Sequence, residues 1–415
     1  MMRLFRSALG RQSLWHFSSQ ALNALLGLAV LGVLTRSMTV EQFGLYSFVL
    51  TVLTFIAVFF DAGIFASATR LMAVADGAEY WHARAGALLL AAAALGVLLA
   101  AFTALASLAV DPLFGRNAGH VLLLVSPLAI VFPLQEMLLS IAQGSNRIRF
   151  LSVYMVLPRI LLLPALMVMA RGTGVAIEGA VVLTLVMTAV SIAVGIAYLR
   201  PRFRRLRGQF SILRVEMREF GRDMYLGRVI DGLTSGLDKM LLSMFHGMAS
   251  LGFYTVALTM VSPIGMFSRA VAVSAYKRFA TERRIARAIL LGNLAWCTAG
   301  TLLLVIACEF LIPVFFTGKY SASLAVLPFL AAGVSLLGLN GPFHSFLAAQ
   351  RQGRSMRMMA VSTSTLNIIL NVSLIPLFAM TGAAVALIST YALNIAMNLH
   401  YYRKHITAIE GTADA

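Results

Sequence analysis

The chain has 415 residues, of which 60% are hydrophobic and only 12% charged, with a formal net charge of +17. Soluble domains carry roughly 25% charged residues, so a chain of two or three soluble domains is excluded. The basic excess does not point to nucleic acid either, because it falls between long apolar stretches.

Apolar stretches of about 20 residues, the length that crosses ~30 Å of hydrocarbon, recur along the whole chain. They predict helices at 14–35, 45–67, 84–109, 120–142, 150–170, 174–199, 225–247, 252–275, 287–313, 323–348, 357–379 and 382–402. The basic start, MMRLFRSALGRQ, is not followed by a short apolar run and a small-residue cleavage site, so no removable signal peptide is expected. Only Arg36, Arg116, Arg171 and Lys319 fall on segments expected outside, and Arg159, Lys239 and Arg269 deep within spans; the rest of the 33 Lys and Arg fall on the other side or, like Arg228, in the turn of a span next to it. The positive-inside rule then places both termini in the cytoplasm. The run Arg200–Arg207 reads as a juxtamembrane segment touching anionic lipid. Cys297 and Cys308 share one apolar stretch and read as core residues.

The two halves repeat. Phe43-Gly44-Leu45-Tyr46 recurs as Leu251-Gly252-Phe253-Tyr254, and Gly144 before Leu157–Leu162 recurs as Gly353 before Leu366–Leu370, at nearly one offset. Six spans per half is an even number, so the repeats are parallel, related by a pseudo-twofold along the membrane normal. The expected architecture is an all-α polytopic membrane protein of about 12 transmembrane helices. It has a lobe at 1–199, a basic cytoplasmic linker at 200–224, a second lobe at 225–402 and a cytoplasmic tail at 403–415.

The loops are short. They hold no HExxH, GxSxG, P-loop or paired-Cys motif, so neither a catalytic centre nor a metal site is expected. The seventh span carries the most information. At ~100° per residue, Arg228, Asp231, Ser235, Asp238 and Lys239 share one arc of about 100°. Each ionisable group facing lipid there would cost at least ~2.5 kcal/mol, so the stripe must face other helices or a wet cavity. On the first span, His16, Gln20, Asn23 and Gly27 share a face, with Gln20 and Asn23 at the positions equivalent to Arg228 and Asp231. Two such stripes could line one cleft, or only join helices through hydrogen bonds. Asp61 and Arg269 also occupy equivalent positions, with opposite charge. They could pair across the cleft as an inner gate, or be neutralised each within its own half. Arg159, after Pro158, lies at mid-span; it is either a site residue or the partner of a structural carboxylate such as Glu136.

Several motifs carry a resemblance. They are Glu41-Gln42-Phe43-Gly44-Leu45-Tyr46, Asp61-Ala62-Gly63-Ile64, Asp238-Lys239, Leu251-Gly252-Phe253-Tyr254, Asn367-Ile368-Ile369-Leu370-Asn371, Pro376 and Gly382-Ala383-Ala384. In this order and spacing the chain resembles the Wzx-type polysaccharide-biosynthesis flippases of the multidrug/oligosaccharidyl-lipid/polysaccharide exporter (MOP) superfamily. The resemblance implies a MATE-like fold in the bacterial cytoplasmic (inner) membrane. It implies transport, rather than enzymatic conversion, of undecaprenyl-pyrophosphate-linked oligosaccharide repeat units to the periplasmic leaflet. The product would feed O-antigen, capsule or exopolysaccharide synthesis, with the polymerase and chain-length proteins of the pathway as partners. Arg228, Lys239, Arg159 and Arg269 are then the candidate pyrophosphate or sugar contacts, offset by Asp61, Asp231 and Asp238. No cofactor is implied, although cleft carboxylates would permit H⁺ or Na⁺ coupling. The competing readings are a multidrug/cation antiporter of the same superfamily and, from a different class, a non-transporting scaffold or an intramembrane glycan-handling enzyme.

Overall fold

The computed structural model describes residues 8–75, 77–114, 118–171, 175–234, 236–279, 281–316, 318–350 and 352–411. Among them every regular element is helical, and ten stretches are long and apolar enough to cross a membrane. Two of these stretches are double. The 55-residue stretch Gly353–Thr407 would reach roughly 80 Å as one rod, far beyond the ~30 Å of a bilayer core. The chain turns back at Ala379 (φ 50°, ψ −130°), and a second long helix turns at Gly247 (φ 78°, ψ 175°). With these turns the ten stretches make a multi-pass membrane protein. Large apolar side chains such as Leu105, Leu303, Phe310 and Leu377 stand exposed on these helices, as lipid contact requires.

The chain forms two compact units, Met1–Gly236 and Leu237–Ala415. In the first, α1 (Ala8–Ser37) packs on α7 (Ile148–Met169). Helix α2 (Val40–Phe59) starts on a capping box: the Gln42 amide donates to Thr39 Oγ1 and the Thr39 amide to Gln42 Oε1 (3.2 and 2.9 Å). It stops before Asp61, where Ala62 and Gly63 both take positive φ (48° and 75°), and the short α3 (Ile64–Ala73) resumes. Helix α4 spans Ala78–Phe114. The expected span at 120–142 divides into α5 (Ala118–Val125), a 3₁₀ turn Ser126–Ile130 and α6 (Val131–Gly144). Pro127 lacks the amide that would continue α5. Helix α8 (Ile177–Leu199) completes the six passages.

The basic linker is ordered against this unit. The Arg202 amide donates to His82 O (2.9 Å), and Arg205 Nη1 donates to the Tyr80 hydroxyl (3.3 Å). Helix α9 (Leu206–Glu216) leads into a π turn, Met217–Gly221, and then into α10 (Arg222–Thr234).

The span expected as one helix over 225–247 is therefore interrupted. Helix α10 ends at Thr234, Gly236 takes φ 110°, and the next helix starts at Leu237. The division between the compact units falls inside that expected span. Positive φ at Gly236 is open to glycine and strained for other residues, and it lets the chain change direction.

The second unit comprises α11 (Leu237–Phe279, broken at Gly247), α12 (Arg287–Phe316), α13 (Ser323–Ala349) and α14 (Gly353–Gly411, broken at Ala379). Phe279, Ile285 and Phe346 form a buried cluster at one end, closed by Tyr402, whose hydroxyl accepts from the Ile285 amide (3.0 Å). At the turn between the legs of α14, a Cβ on Gly382 would run into the Leu374 carbonyl oxygen, so the Gly-Ala-Ala motif is what lets the two legs meet.

Candidate functional site

The expected site residues of the first unit fall at two places. The first is the break between α2 and α3. Gly63 and Gly221 approach so closely that a Cβ on Gly63 would collide with the Gly221 carbonyl oxygen, and one on Gly221 would lie 2.6 Å from Ser67 Oγ. The π turn thus docks on the break. Three further contacts hold it there. Glu216 Oε1 lies 3.1 Å from Arg70 Nη1, the Arg70 guanidinium stands over the Phe220 ring (5.1 Å), and the Tyr225 hydroxyl donates to Phe59 O (3.0 Å).

This docking carries Arg228 to Asp61. Arg228 Nε lies 2.6 Å from Asp61 Oδ2, and Nη2 lies 3.7 Å from Glu136 Oε2. Asp61 is 1% exposed, while the side chains of Arg228 and Glu136 are 46% and 45% exposed. One guanidinium thus serves two carboxylates of different character, one shut in and one open. Asp61, considered above as a gate partner of Arg269, is engaged here by Arg228, and so is Glu136, considered as a partner of Arg159. The physical reason is the π turn, which swings the start of α10 onto the end of α2. Span-by-span hydropathy carries no signal of it.

The second place is the contact of α1 with α7. Arg159 Nη1 donates to Asn23 O (3.0 Å), and a Cβ on Gly27 would sit 3.5 Å from Arg159 Nε. Gly27 therefore leaves room for the guanidinium. Among the described residues no carboxylate lies within ion-pairing distance of Arg159, and the buried Asn23 Oδ1 has no donor within the protein. Gln20 lies half-buried on the same helix. The side chains of His16 and Asp231, and residue Ser235 altogether, lie outside the described part of the structure.

In the second unit Asp238 accepts from the Lys239 amide (2.8 Å) and from the Tyr254 hydroxyl (2.6 Å). Lys239 is half-buried, with no carboxylate within ion-pairing distance among the described residues, and Arg269 is exposed. Helix α10 ends at Thr234 and the next helix starts at Leu237, so Arg228 lies on a different helix from Asp238 and Lys239 and the expected stripe is not one continuous helical face.

The repeated motifs have structural tasks. Tyr46 reaches Thr184 Oγ1 on α8 (3.0 Å), and its repeat Tyr254 reaches Asp238. Asn371 Nδ2 donates to Asn367 Oδ1 (2.9 Å) and Asn367 Nδ2 to Thr390 Oγ1 (3.3 Å), joining the two legs of α14.

A family model described as polysaccharide biosynthesis protein matches residues 9–276, more than half of the chain. The chain belongs to this polysaccharide biosynthesis family. Comparison with curated protein sequences gave no match. Among solved structures, this family member is similar to the lipid II flippase MurJ in an inward closed conformation. That likeness has 15% identity and a TM-score of 0.75, over 95% of this chain and 89% of MurJ. It is also similar to an inward-facing multidrug resistance MATE transporter of the MOP superfamily, with 15% identity and a TM-score of 0.68, over 94% and 96% of the two chains. A third likeness is to a MOP superfamily transporter from Pyrococcus furiosus, with 15% identity and a TM-score of 0.62, over 98% of each. Identities this low carry the fold alone, and the fold is that of the MOP superfamily.

Proposed function

We propose that this protein moves undecaprenyl-pyrophosphate-linked oligosaccharide repeat units from the cytoplasmic to the periplasmic leaflet of the bacterial inner membrane by alternating access. It would supply O-antigen, capsule or exopolysaccharide synthesis, and would act as a transporter and not an enzyme. The observation that carries the reading is Arg159, a cation at the middle of a membrane passage with a backbone carbonyl, and no carboxylate within ion-pairing distance, as its partner among the described residues. A cation left in that condition at such depth marks a substrate path. A pyrophosphate supplies the missing anion, and the prenyl chain can stay in lipid. Membership of a polysaccharide biosynthesis family and the fold likeness to a lipid II flippase support the same substrate class. Arg228 and Lys239 join Arg159 as headgroup contacts, Gln20, Asn23, Asp231 and Asp238 as sugar contacts, and Asp61 with Arg269 as a gate formed in another state of the cycle.

The test is the leaflet distribution of lipid-linked intermediates in a strain lacking the protein. Full-length repeat units should accumulate on the cytoplasmic face, and wild type but not Arg159→Met should release them. A normal distribution would sink the proposal.

A second reading, a multidrug/cation antiporter, is favoured by one observation: Asp61 and Glu136 bring two carboxylates to the single cation Arg228. The excess negative charge suits an exchanged H⁺, Na⁺ or organic cation. Loss of resistance to cationic dyes in the deletion strain, with glycan intermediates unchanged, would select it.

A further inference from the structure

The two carboxylates on Arg228 are not equivalent, and the difference assigns them separate roles. Asp61 approaches Nε to 2.6 Å from a position almost closed to solvent. Once its cation left, it would stay charged without water, which is strongly unfavourable. Glu136 approaches Nη2 only to 3.7 Å, beyond the length of an N–H···O hydrogen bond, from a position nearly half open. Water can solvate it as soon as it turns away. Any anion entering this cluster would meet Arg228 together with two negative charges, and only one of those charges can leave at low cost.

We propose that Asp61 is the fixed anchor that positions Arg228 and that Glu136 is a displaceable occupant of its anion-binding side. This inference rests on the lipid-pyrophosphate reading above. A phosphate-class anion forms the bidentate, charge-assisted contact that guanidinium geometry favours. Glu136 holds that place in the empty protein and gives it up when the headgroup arrives. It thereby excludes weaker monoanions from the side of Arg228 that Asp61 leaves open. Among the described residues the charged and titratable neighbours of Glu136 are Arg228 on α10, Asp61 at the α2–α3 break and Tyr154 on α7, and none of them offers a second cation.

The experiment uses the full chain in nanodiscs of neutral phosphatidylcholine, titrated with farnesyl pyrophosphate and, as control, farnesol. Wild type binds the pyrophosphate in preference to farnesol. Glu136→Gln, which removes the competing charge and keeps the shape, tightens pyrophosphate binding by about two- to fivefold, the size of one half-exposed charge pair. That gain disappears in an Arg228→Ala background. Asp61→Asn lowers the thermal midpoint of the protein, whereas Glu136→Gln leaves it unchanged. The inference is overturned if Glu136→Gln binds no more tightly than wild type, if the gain persists without Arg228, or if the two carboxylates have equal effects on the midpoint. Failure of wild type to prefer pyrophosphate over farnesol defeats the functional reading itself, and this inference with it.

Discussion

At the scale of single residues, two cations of the first unit differ: Arg228 neutralises a closed-in carboxylate, and Arg159 has a carbonyl as its partner. Removing Arg228 leaves Asp61 charged in a closed site. Because the Arg228 side chain is 46% exposed, Arg228→Ala should cost about 2 kcal/mol, below the ~3–5 kcal/mol of a fully buried pair. The measurement is the thermal midpoint in detergent; an unchanged midpoint would mean that Asp61 finds another partner. Arg159 behaves in the opposite way. Its partner is a carbonyl, so Arg159→Met keeps the packed length and should leave the midpoint within a degree or so of wild type, while lowering complementation of glycan export at least about tenfold. Gly27 supplies the control. Gly27→Ala adds a methyl at ordinary contact distance from Arg159 and should be tolerated; Gly27→Leu should displace the guanidinium and mimic Arg159→Met.

At the scale of elements, the break between α2 and α3 and the π turn are one construction. Gly63→Ala puts a Cβ both at φ 75° and against the Gly221 carbonyl oxygen, adding a collision to the ~1–2 kcal/mol of a left-handed alanine. It should cut the yield of folded protein. Gly208→Ala, inside α9 with nothing near it, should instead stabilise by roughly 0.5–1 kcal/mol. Size-exclusion profiles of the two variants separate these outcomes. The elements themselves were largely legible in the sequence, because a membrane passage writes its length directly into hydropathy. Two of the breaks were legible too: the expected spans end at 379 and resume at 382, where the chain turns at Ala379 (φ 50°) and Gly382 lets the two legs of α14 touch, and they end at 247, where Gly247 turns. The break at 236 was not. Gly236 lies inside the stretch 225–247, which reads as one unbroken helix. The stripe expected through Arg228, Asp231, Ser235, Asp238 and Lys239 is therefore not one straight helix, because α10 ends at Thr234 and the next helix starts at Leu237. The grouping of Asp61, Glu136 and Arg228 was invisible for another reason: periodicity gives the face of a helix but not which helix it meets.

At the scale of the whole molecule, charge asymmetry sets a topology that labelling can check. The native thiols, Cys297 and Cys308, are buried and can be replaced by alanine. In that background Lys319→Cys should react with a membrane-impermeant maleimide in intact cells, and Phe203→Cys, exposed beside the linker arginines, only after permeabilisation. The reverse pattern would invert the protein. The opposed glycines at positions 63 and 221 have one more consequence, for how such a protein can be recombined. The stretch 200–234 has the composition of a spacer, and a chimaera of two family members would naturally be joined within it. Yet Arg202, Arg205, Glu216, Gly221, Tyr225 and Arg228 are all fitted to side chains or backbone of the first half. A crossover at 205 would set one parent's clasp on the other parent's helix, whereas a crossover between Gly236 and Leu237 would inherit both from the same ancestor.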